Sequence, residues 1–221
     1  MAAPLKLYAH PFSSYCQKVL VALYENDLPF DYLELGPDHP EAGREFASLW
    51  PIGKFPIIDH DGRMVVEATV IIEYLGLHFP SPVRLVPKDP DHAIGVRMLD
   101  RIFDNYVMAP MSRIVADAIR PVEDRDAPGV AEAHRQLETS YDWLEGHLQS
   151  REWATDGGFS LADCAAAPAL FYADWVHPIG EERSALRDYR RRLLERPSFA
   201  RAVDEARPYR HLFPLGAPDR D

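Results

Sequence analysis

The sequence predicts a small mixed α/β domain followed by an all-helical domain, and three observations support this fold class. Apolar runs and helical periodicities alternate over the first ~80 residues, a pattern typical of a sheet covered by helices. Four prolines then fall within residues 80–90, where they oppose regular structure. Beyond that segment the apolar residues recur every three or four positions, as they do in packed helices. We therefore expect a first domain over residues 1–79, a linker over 80–90 and a helical-bundle domain over 91–221.

Each element of the first domain has a local signal. A strand from residue 5 ends at His10-Pro11, and Ser13 or Ser14 can cap the helix that follows. The pair Asp61-Gly62, flanked by apolar runs, is the signal of a β-hairpin. We expect strands over residues 5–9, 30–35, 55–59 and 64–66, and helices from residue 13 or 14 to 26, over 40–49 and over 67–78.

The second domain has helical periodicity throughout. Its first apolar stripe repeats every four residues and predicts one long helix: Ile94, Met98, Ile102 and Tyr106. Pro110 should kink that helix. Ser160 and Asp163 precede an alanine-rich run and have the spacing of a capping box.

The composition and the net charge argue against several classes of binding partner. The chain is 47% hydrophobic and 27% charged, close to the average of globular proteins. Its net charge of −11 repels nucleic acid and anionic membrane surfaces, and no apolar run approaches the ~20 residues of a membrane span. The two cysteines, Cys16 and Cys164, are too few for a disulfide framework or a zinc site. We expect a cytoplasmic protein with reduced thiols, no metal and neither a nucleic acid nor a membrane partner.

The loop between the first strand and the first helix carries the first candidate group. The amino end of a helix stabilises an anion through its free amides and its dipole, by ~0.3–1 kcal/mol. A serine hydroxyl at this point, from Ser13 or Ser14, either caps the helix or donates a hydrogen bond to a bound thiolate.

A second candidate region begins at Phe55-Pro56, where a proline opens a strand. Proline is accommodated there at a sheet edge or after a cis peptide bond. A cis bond would expose the backbone of Phe55, which can then pair with an extended peptide. Glu67 and Ala68, at the start of the next helix, add a carboxylate and free amides.

In their order and spacing, Ser13, Lys54-Phe55-Pro56, Glu67, the proline-rich linker and the Ser160-Asp163 box resemble the cytosolic glutathione transferase family over nearly the whole chain. The segment 13–19 is similar to the serine-type motif of theta- and zeta-like bacterial members. The resemblance implies a thioredoxin-like first domain, a cis-proline at Pro56, glutathione as co-substrate, and a homodimer with two clefts between its domains.

The resemblance also implies a role for each matching residue. Ser13, with Ser14 as the alternate, would donate to the glutathione sulfur and is the expected catalytic residue. The backbone of Phe55 would pair with the cysteinyl part. Lys54 would meet the glycyl carboxylate, and Glu67 would hold the γ-glutamyl end.

Pro56 and Ala68 complete the expected glutathione-binding set. Ala68 departs from the family pattern, which usually has serine or threonine after the glutamate. The Ala68 amide can still donate, and Thr69 is expected to compensate for the missing hydroxyl. His39 is a further candidate to meet the glycyl carboxylate beside Lys54.

Three further expectations concern the rest of the site. Cys16 is either a redox nucleophile acidified at the helix start or a packed helix residue, and we favour the packed residue. Asp100 or Asp104 is expected to reach into the partner subunit. The resemblance places five residues at the wall of a pocket for a small hydrophobic electrophile, and the alternative, which we favour, is that they are plain core: Tyr106, Met108, Met111, Arg113 and Ile114.

The expected function is therefore that of a glutathione transferase, which activates the glutathione thiolate for attack on a hydrophobic electrophile. One alternative is a non-catalytic glutathione- or ligand-binding protein on the same fold, because fold alone does not fix activity. Another is a glutathione-dependent isomerase, dehalogenase or peroxidase, since these reactions need the same activated thiolate.

Overall fold

The computed structural model describes residues 5–221 and contains a four-stranded sheet followed by helices. The strands are β1 (Lys6–Ala9), β2 (Asp31–Glu34), β3 (Ile57–His60) and β4 (Arg63–Val66). The helices of this half are α1 (Ser14–Glu25), α2 (Pro40–Leu49) and α3 (Ala68–His78). Every one of these elements begins and ends within two residues of its expected position.

The sheet is mixed, in the strand order β2-β1-β3-β4. Strand β1 runs parallel to β2 and antiparallel to β3, and β4 closes an antiparallel hairpin with β3. The hairpin turns at Asp61 and Gly62, whose φ angles of 54° and 80° are both positive. This is the two-residue turn that an Asp-Gly pair favours. The α/β class predicted for this half is confirmed.

The second half is helical. It contains α4 (Pro90–Ile102), a π-helical segment (Phe103–Met108), α5 (Ala109–Ile119), α6 (Ala127–Leu148), α7 (Leu161–Val176), α8 (Ser184–Glu195) and α9 (Pro197–Ala206). The largely buried α7 packs against α1, α4 and the π-helical segment, so it lies at the centre of the molecule. No helix among residues 5–221 combines the length and the apolar character needed to cross a membrane.

The distortion expected from Pro110 takes the form of the π-helical segment. Pro110 has no amide hydrogen for the carbonyl of Tyr106, four residues earlier. In the structure the Ser140 hydroxyl lies 2.9 Å from that carbonyl and 2.7 Å from the Gln136 carbonyl of its own helix, and its one proton serves both acceptors. The neighbouring helix α6 thereby offers a donor to the backbone group that the proline leaves free.

The apolar stripe that predicted the first long helix of this half does not lie on its buried face. Ile94, Met98 and Tyr106 are each more than half exposed. The buried side of the helix is a neighbouring stripe: Ala93, Val96, Leu99, Phe103 and Val107. Both stripes follow helical spacing, so periodicity alone does not distinguish the face toward the core from an outward apolar face.

The predicted capping box at the start of α7 is confirmed. The fully buried carboxylate of Asp163 accepts hydrogen bonds from the amides of Ser160 at 2.9 Å and Ala154 at 2.8 Å, and from the hydroxyl of Tyr189 at 2.7 Å. It therefore also connects α7 to the preceding loop and to α8.

Candidate functional site

A cleft of about 600 Å³ opens between the sheet edge, the start of α3 and the α4–π-helix junction. Five of the predicted glutathione-binding residues line it together: Lys54, Phe55, Pro56, Glu67 and Ala68. The first three come from the segment that leads into β3, and the last two begin α3. These two segments lie on either side of the β3–β4 hairpin, 11 positions apart in the sequence, and the hairpin brings them to one surface.

The backbone has an unusual conformation at two places in the lining of the cleft, the Phe55-Pro56 bond and Glu67. The Phe55-Pro56 peptide bond is cis, as expected. Glu67, which precedes the first residue of α3, has a φ of 71°, in a region that non-glycine residues seldom occupy. Non-glycine residues held in this region of positive φ are more frequent at ligand-binding sites than elsewhere, and Glu67 is such a residue.

Ser13 lies at the N-cap position of α1, but its side chain makes no capping hydrogen bond. Instead it hydrogen-bonds with the thiol of Cys16. Ser13 is half-buried and is not among the residues that line the cleft, whereas Tyr15, the second residue of α1, is. The hydroxyl is therefore not committed to the helix end.

Cys16 is a packed helix residue rather than an acidified nucleophile. Its side chain is fully buried, and burial raises the pKa of its thiol to about 12 although Ser13 and the amide of His10 both favour the thiolate. The His10 amide donates to the sulfur at 3.5 Å. A thiol of this kind is neutral at physiological pH and has no role as a redox nucleophile.

A buried ionic cluster lies directly behind the cleft. The ammonium of Lys18, in α1, is 2.6 Å from a carboxylate oxygen of Asp100 and 2.7 Å from one of Asp104. The prediction that Asp100 or Asp104 reaches into the partner subunit is wrong, because both carboxylates are buried and paired within this chain. Burial raises the pKa of Asp104, and the nearby Lys18 opposes that shift.

Thr69 belongs to this cluster as well. Its hydroxyl accepts a hydrogen bond from Lys18 at 2.9 Å and donates its only proton to Asp100 at 2.9 Å. The expectation that Thr69 compensates for the hydroxyl missing at Ala68 is therefore not supported. What remains at this point of the cleft is the backbone amide of Ala68.

Arg101 is a cleft residue that sequence reasoning missed. It lines the cleft with a side chain that is 48% exposed, and it is held by Asp100, Asp104 and Thr69. Tyr15 stands near it, and burial together with the charge of Asp104 raises the pKa of the Tyr15 phenol to about 12. In the sequence, the one sign of this residue was the adjacent pair Asp100-Arg101, and a pair of opposite charges next to each other does not by itself indicate a binding residue.

The residues expected to form the electrophile wall are absent from this cleft. Met108, Met111 and Ile114 are buried core residues. Tyr106 faces a groove between α4 and α6, and Arg113 pairs with Asp126 at 3.0 Å. The plain-core alternative therefore holds for the three apolar residues.

Two other expectations can be compared with the geometry. His39 is not a lining residue of the cleft, and its ring lies 4.0 Å from Glu34. Over residues 5–221 no three histidine, cysteine or carboxylate side chains are grouped so as to hold a metal ion.

Two family models match the chain. The glutathione S-transferase N-terminal domain matches residues 7–83, and the glutathione S-transferase C-terminal domain matches residues 127–192. The chain therefore belongs to the glutathione S-transferase family, and the resemblance seen in the sequence is confirmed. The serine-type, theta- or zeta-like subclass stays a prediction.

Individual proteins agree with this assignment along nearly the full length. Protein LigF from Sphingobium sp. is 27% identical, over 92% of this chain and 94% of its own. FtsZ-localized protein A from Caulobacter vibrioides is also 27% identical, over 90% of each. A crystal structure of a glutathione S-transferase from Methylobacterium radiotolerans, in complex with glutathione sulfonate, has a TM-score of 0.78 at 27% identity and covers 91% of this chain and 95% of that one.

Proposed function

We propose that this protein is an enzyme that binds glutathione in the cleft and activates its thiol for attack on a hydrophobic electrophile. The observation that carries the proposal is the convergence of Lys54, Phe55, Glu67 and Ala68 on one cleft in a chain of this family. Lys54, Phe55 and Glu67 were each assigned from the resemblance to a different part of the glutathione molecule, and Ala68 was assigned beside Glu67 at the γ-glutamyl end. Their meeting at one surface is what a single peptide ligand requires.

The charges of the cleft support this ligand. Glutathione has a carboxylate at each end and one ammonium group. The cleft offers two cationic side chains, Lys54 and Arg101, and the carboxylate of Glu67. The amide of Ala68, at the amino end of α3, adds a donor that favours an anion. The extended peptide would run between these groups along the backbone of Phe55.

Activation of the thiol is assigned to Ser13. Its hydroxyl is free of a capping role and bonds instead to a neutral thiol. A serine side chain can rotate between staggered positions, so its hydroxyl can donate its hydrogen bond to a stronger acceptor while keeping its proton. A bound thiolate is such an acceptor, because hydrogen bonds to charged groups are about twice as strong as those between neutral groups.

A homodimer is part of the proposal. The apolar residues exposed on α3, on α4 with its π-helical extension, and on α6 offer a surface for a second copy: Val70, Leu77, Ile94, Met98, Tyr106 and Trp143. Tyr106 and Trp143 line one groove of about 540 Å³. An exposed apolar groove of this kind is typical of an interaction site.

A cytoplasmic location also belongs to the proposal, because both cysteines are free and buried, as in proteins of reducing compartments.

The second candidate is a non-catalytic binding protein on the same fold. It is favoured by Ala68, which removes a hydroxyl from the γ-glutamyl end, and by the position of Ser13 outside the lining of the cleft. Retention on immobilised glutathione, followed by turnover of a panel of electrophiles, separates the two. Retention with turnover supports the enzyme, retention without turnover supports the binding protein, and failure to be retained contradicts both.

A further inference from the structure

Arg101 is the most tightly positioned cation of the cleft. Its Nε and Nη2 atoms donate to Asp100 at 2.9 Å and 2.7 Å, and Nη2 also contacts Asp104 and Thr69. Its other terminal nitrogen, Nη1, has no hydrogen-bond partner within residues 5–221, and nearly half of the side chain is open to solvent at the cleft. The guanidinium is thus fixed on one edge and available on the other.

The buried cluster behind Arg101 is balanced in charge. Lys18 and Arg101 carry two positive charges, and Asp100 and Asp104 carry two negative charges. Lys18 is fully buried, so its positive charge is balanced by these neighbours and not by solvent. Without Lys18, two carboxylates would face a single guanidinium, and the cluster would have a net negative charge beside the cleft.

We propose that Arg101 binds the α-carboxylate at the γ-glutamyl end of glutathione, and that Lys18 is a positioning residue that keeps Arg101 available for it. This inference rests on the proposed function. The γ-glutamyl end is an α-amino acid group, with a carboxylate and an ammonium on one carbon. Arg101 supplies the cation for the first, and Glu67 supplies the anion for the second.

The electrostatics of Tyr15 support this choice of end. The charges of Arg101, Glu67 and Asp104 all affect the pKa of the Tyr15 phenol, so these groups lie around one part of the cleft. Lys54 comes from the segment before β3 and serves the glycyl carboxylate in the proposed orientation. Two cations at separate positions match the two carboxylates of the ligand.

Lys18 acts on the ligand through charge alone, because its side chain is not exposed. Its ammonium neutralises one of the two carboxylates, so that Arg101 neutralises only the other. A ligand carboxylate then meets a balanced cluster and a free Nη1 donor. Loss of the Lys18 charge would leave both carboxylates to Arg101 and would repel the ligand.

The test compares two ligands by isothermal titration calorimetry. One is glutathione, and the other is γ-aminobutyryl-cysteinyl-glycine, which lacks only the α-carboxylate. Arg101→Gln is expected to weaken glutathione about tenfold to a hundredfold, as for loss of a hydrogen bond between charged groups, and to leave the affinity for the analogue nearly unchanged. Arg97→Gln is the control, since Arg97 lies one turn earlier on α4, is similarly exposed and pairs with Glu73 away from the cleft.

Lys18 is tested with the same pair of ligands. Lys18→Met is expected to weaken glutathione more than the analogue, and the double variant Lys18→Met/Asp104→Asn, which restores the charge balance, is expected to recover much of that loss. A merely structural role for Lys18 predicts that both ligands are weakened equally. Thermal unfolding shows which variants are folded, and if Lys18→Met is not, the double variant and Arg101→Gln still test the proposal.

The outcomes separate this inference from the function on which it rests. If wild type binds neither glutathione nor the analogue, the proposed function fails and the inference fails with it. If wild type binds glutathione and Arg101→Gln binds it equally well, or loses both ligands to the same extent, only the inference is overturned.

Discussion

Replacement of Ser13 by alanine tests the activation of the thiol. The free thiol of a cysteine has a pKa of ~8.5, so only a few per cent is thiolate at neutral pH. A hydrogen bond to a charged acceptor contributes ~1.5–3 kcal/mol, and one pKa unit corresponds to ~1.36 kcal/mol. Ser13→Ala should therefore raise the pKa of bound glutathione by about one to two units and lower the rate at neutral pH about tenfold to a hundredfold.

The structure makes this variant easy to interpret. Since the Ser13 hydroxyl makes no capping hydrogen bond and bonds only to the neutral Cys16 thiol, its removal should change the melting temperature little. The assay titrates the thiolate absorbance of bound glutathione in wild type, Ser13→Ala, Ser14→Ala and Cys16→Ala.

The sign of the pH dependence gives a second readout. Wild type and Ser13→Ala should differ most near neutral pH and converge at pH values above the raised pKa, where the thiol is ionised in both. A titration midpoint that is unchanged in Ser13→Ala, or one that moves in Ser14→Ala instead, would refute the assignment.

Three further predictions concern assembly and stability. Tyr106→Glu should dissociate the proposed dimer at micromolar concentration. Ile119→Glu, at another exposed apolar position at the end of α5, should not. Sedimentation velocity measures both variants, and a monomeric wild type contradicts the proposal. Asp163→Ala should lower the free energy of unfolding by about 3 kcal/mol, because four buried donors lose this partner: the amides of Ala154 and Ser160 and the hydroxyls of Ser160 and Tyr189. Asp156→Ala, in an exposed loop, should cost little, and denaturant unfolding that gives equal values contradicts this. Burial and the charge of His177 lower the pKa of His134, so its contribution to stability is present above the ordinary histidine pKa of ~6.5 and is lost as the pH falls through the lowered folded-state value. In a plot of the free energy of unfolding against pH, His134→Gln should therefore reduce the loss of stability on the acid side, and His211→Gln should not. Identical curves for the two variants would contradict the reasoning.

Local signals made several elements in both halves of the fold predictable. The Asp61-Gly62 turn, Pro40 at the first position of α2 and the capping box of α7 each act over a few residues. The domain boundaries 1–79, 80–90 and 91–221 stay predictions, although α3 ends at His78 and α4 begins at Pro90.

The features that sequence reasoning missed depend on contacts between distant residues. Lys18 in a helical pattern suggests an exposed side chain, and its burial is possible only because Asp100 and Asp104, more than 80 residues later, lie beside it. Arg101 becomes a cleft residue through the same cluster. The apolar stripe of α4 predicted the helix but not which of its faces is buried, because a spacing of four residues describes either face.

The central claim is that this cleft binds glutathione by its γ-glutamyl end, and calorimetric titration of glutathione into wild type and Glu67→Gln tests it most directly. Wild type should bind, and Glu67→Gln should weaken binding about tenfold or more with turnover at saturation little changed, because the contact is made equally before and during the reaction. Glu73→Gln, on the same helix but outside the cleft, should bind like wild type. Failure of wild type to bind glutathione, or equal affinities for wild type and Glu67→Gln, would contradict the claim.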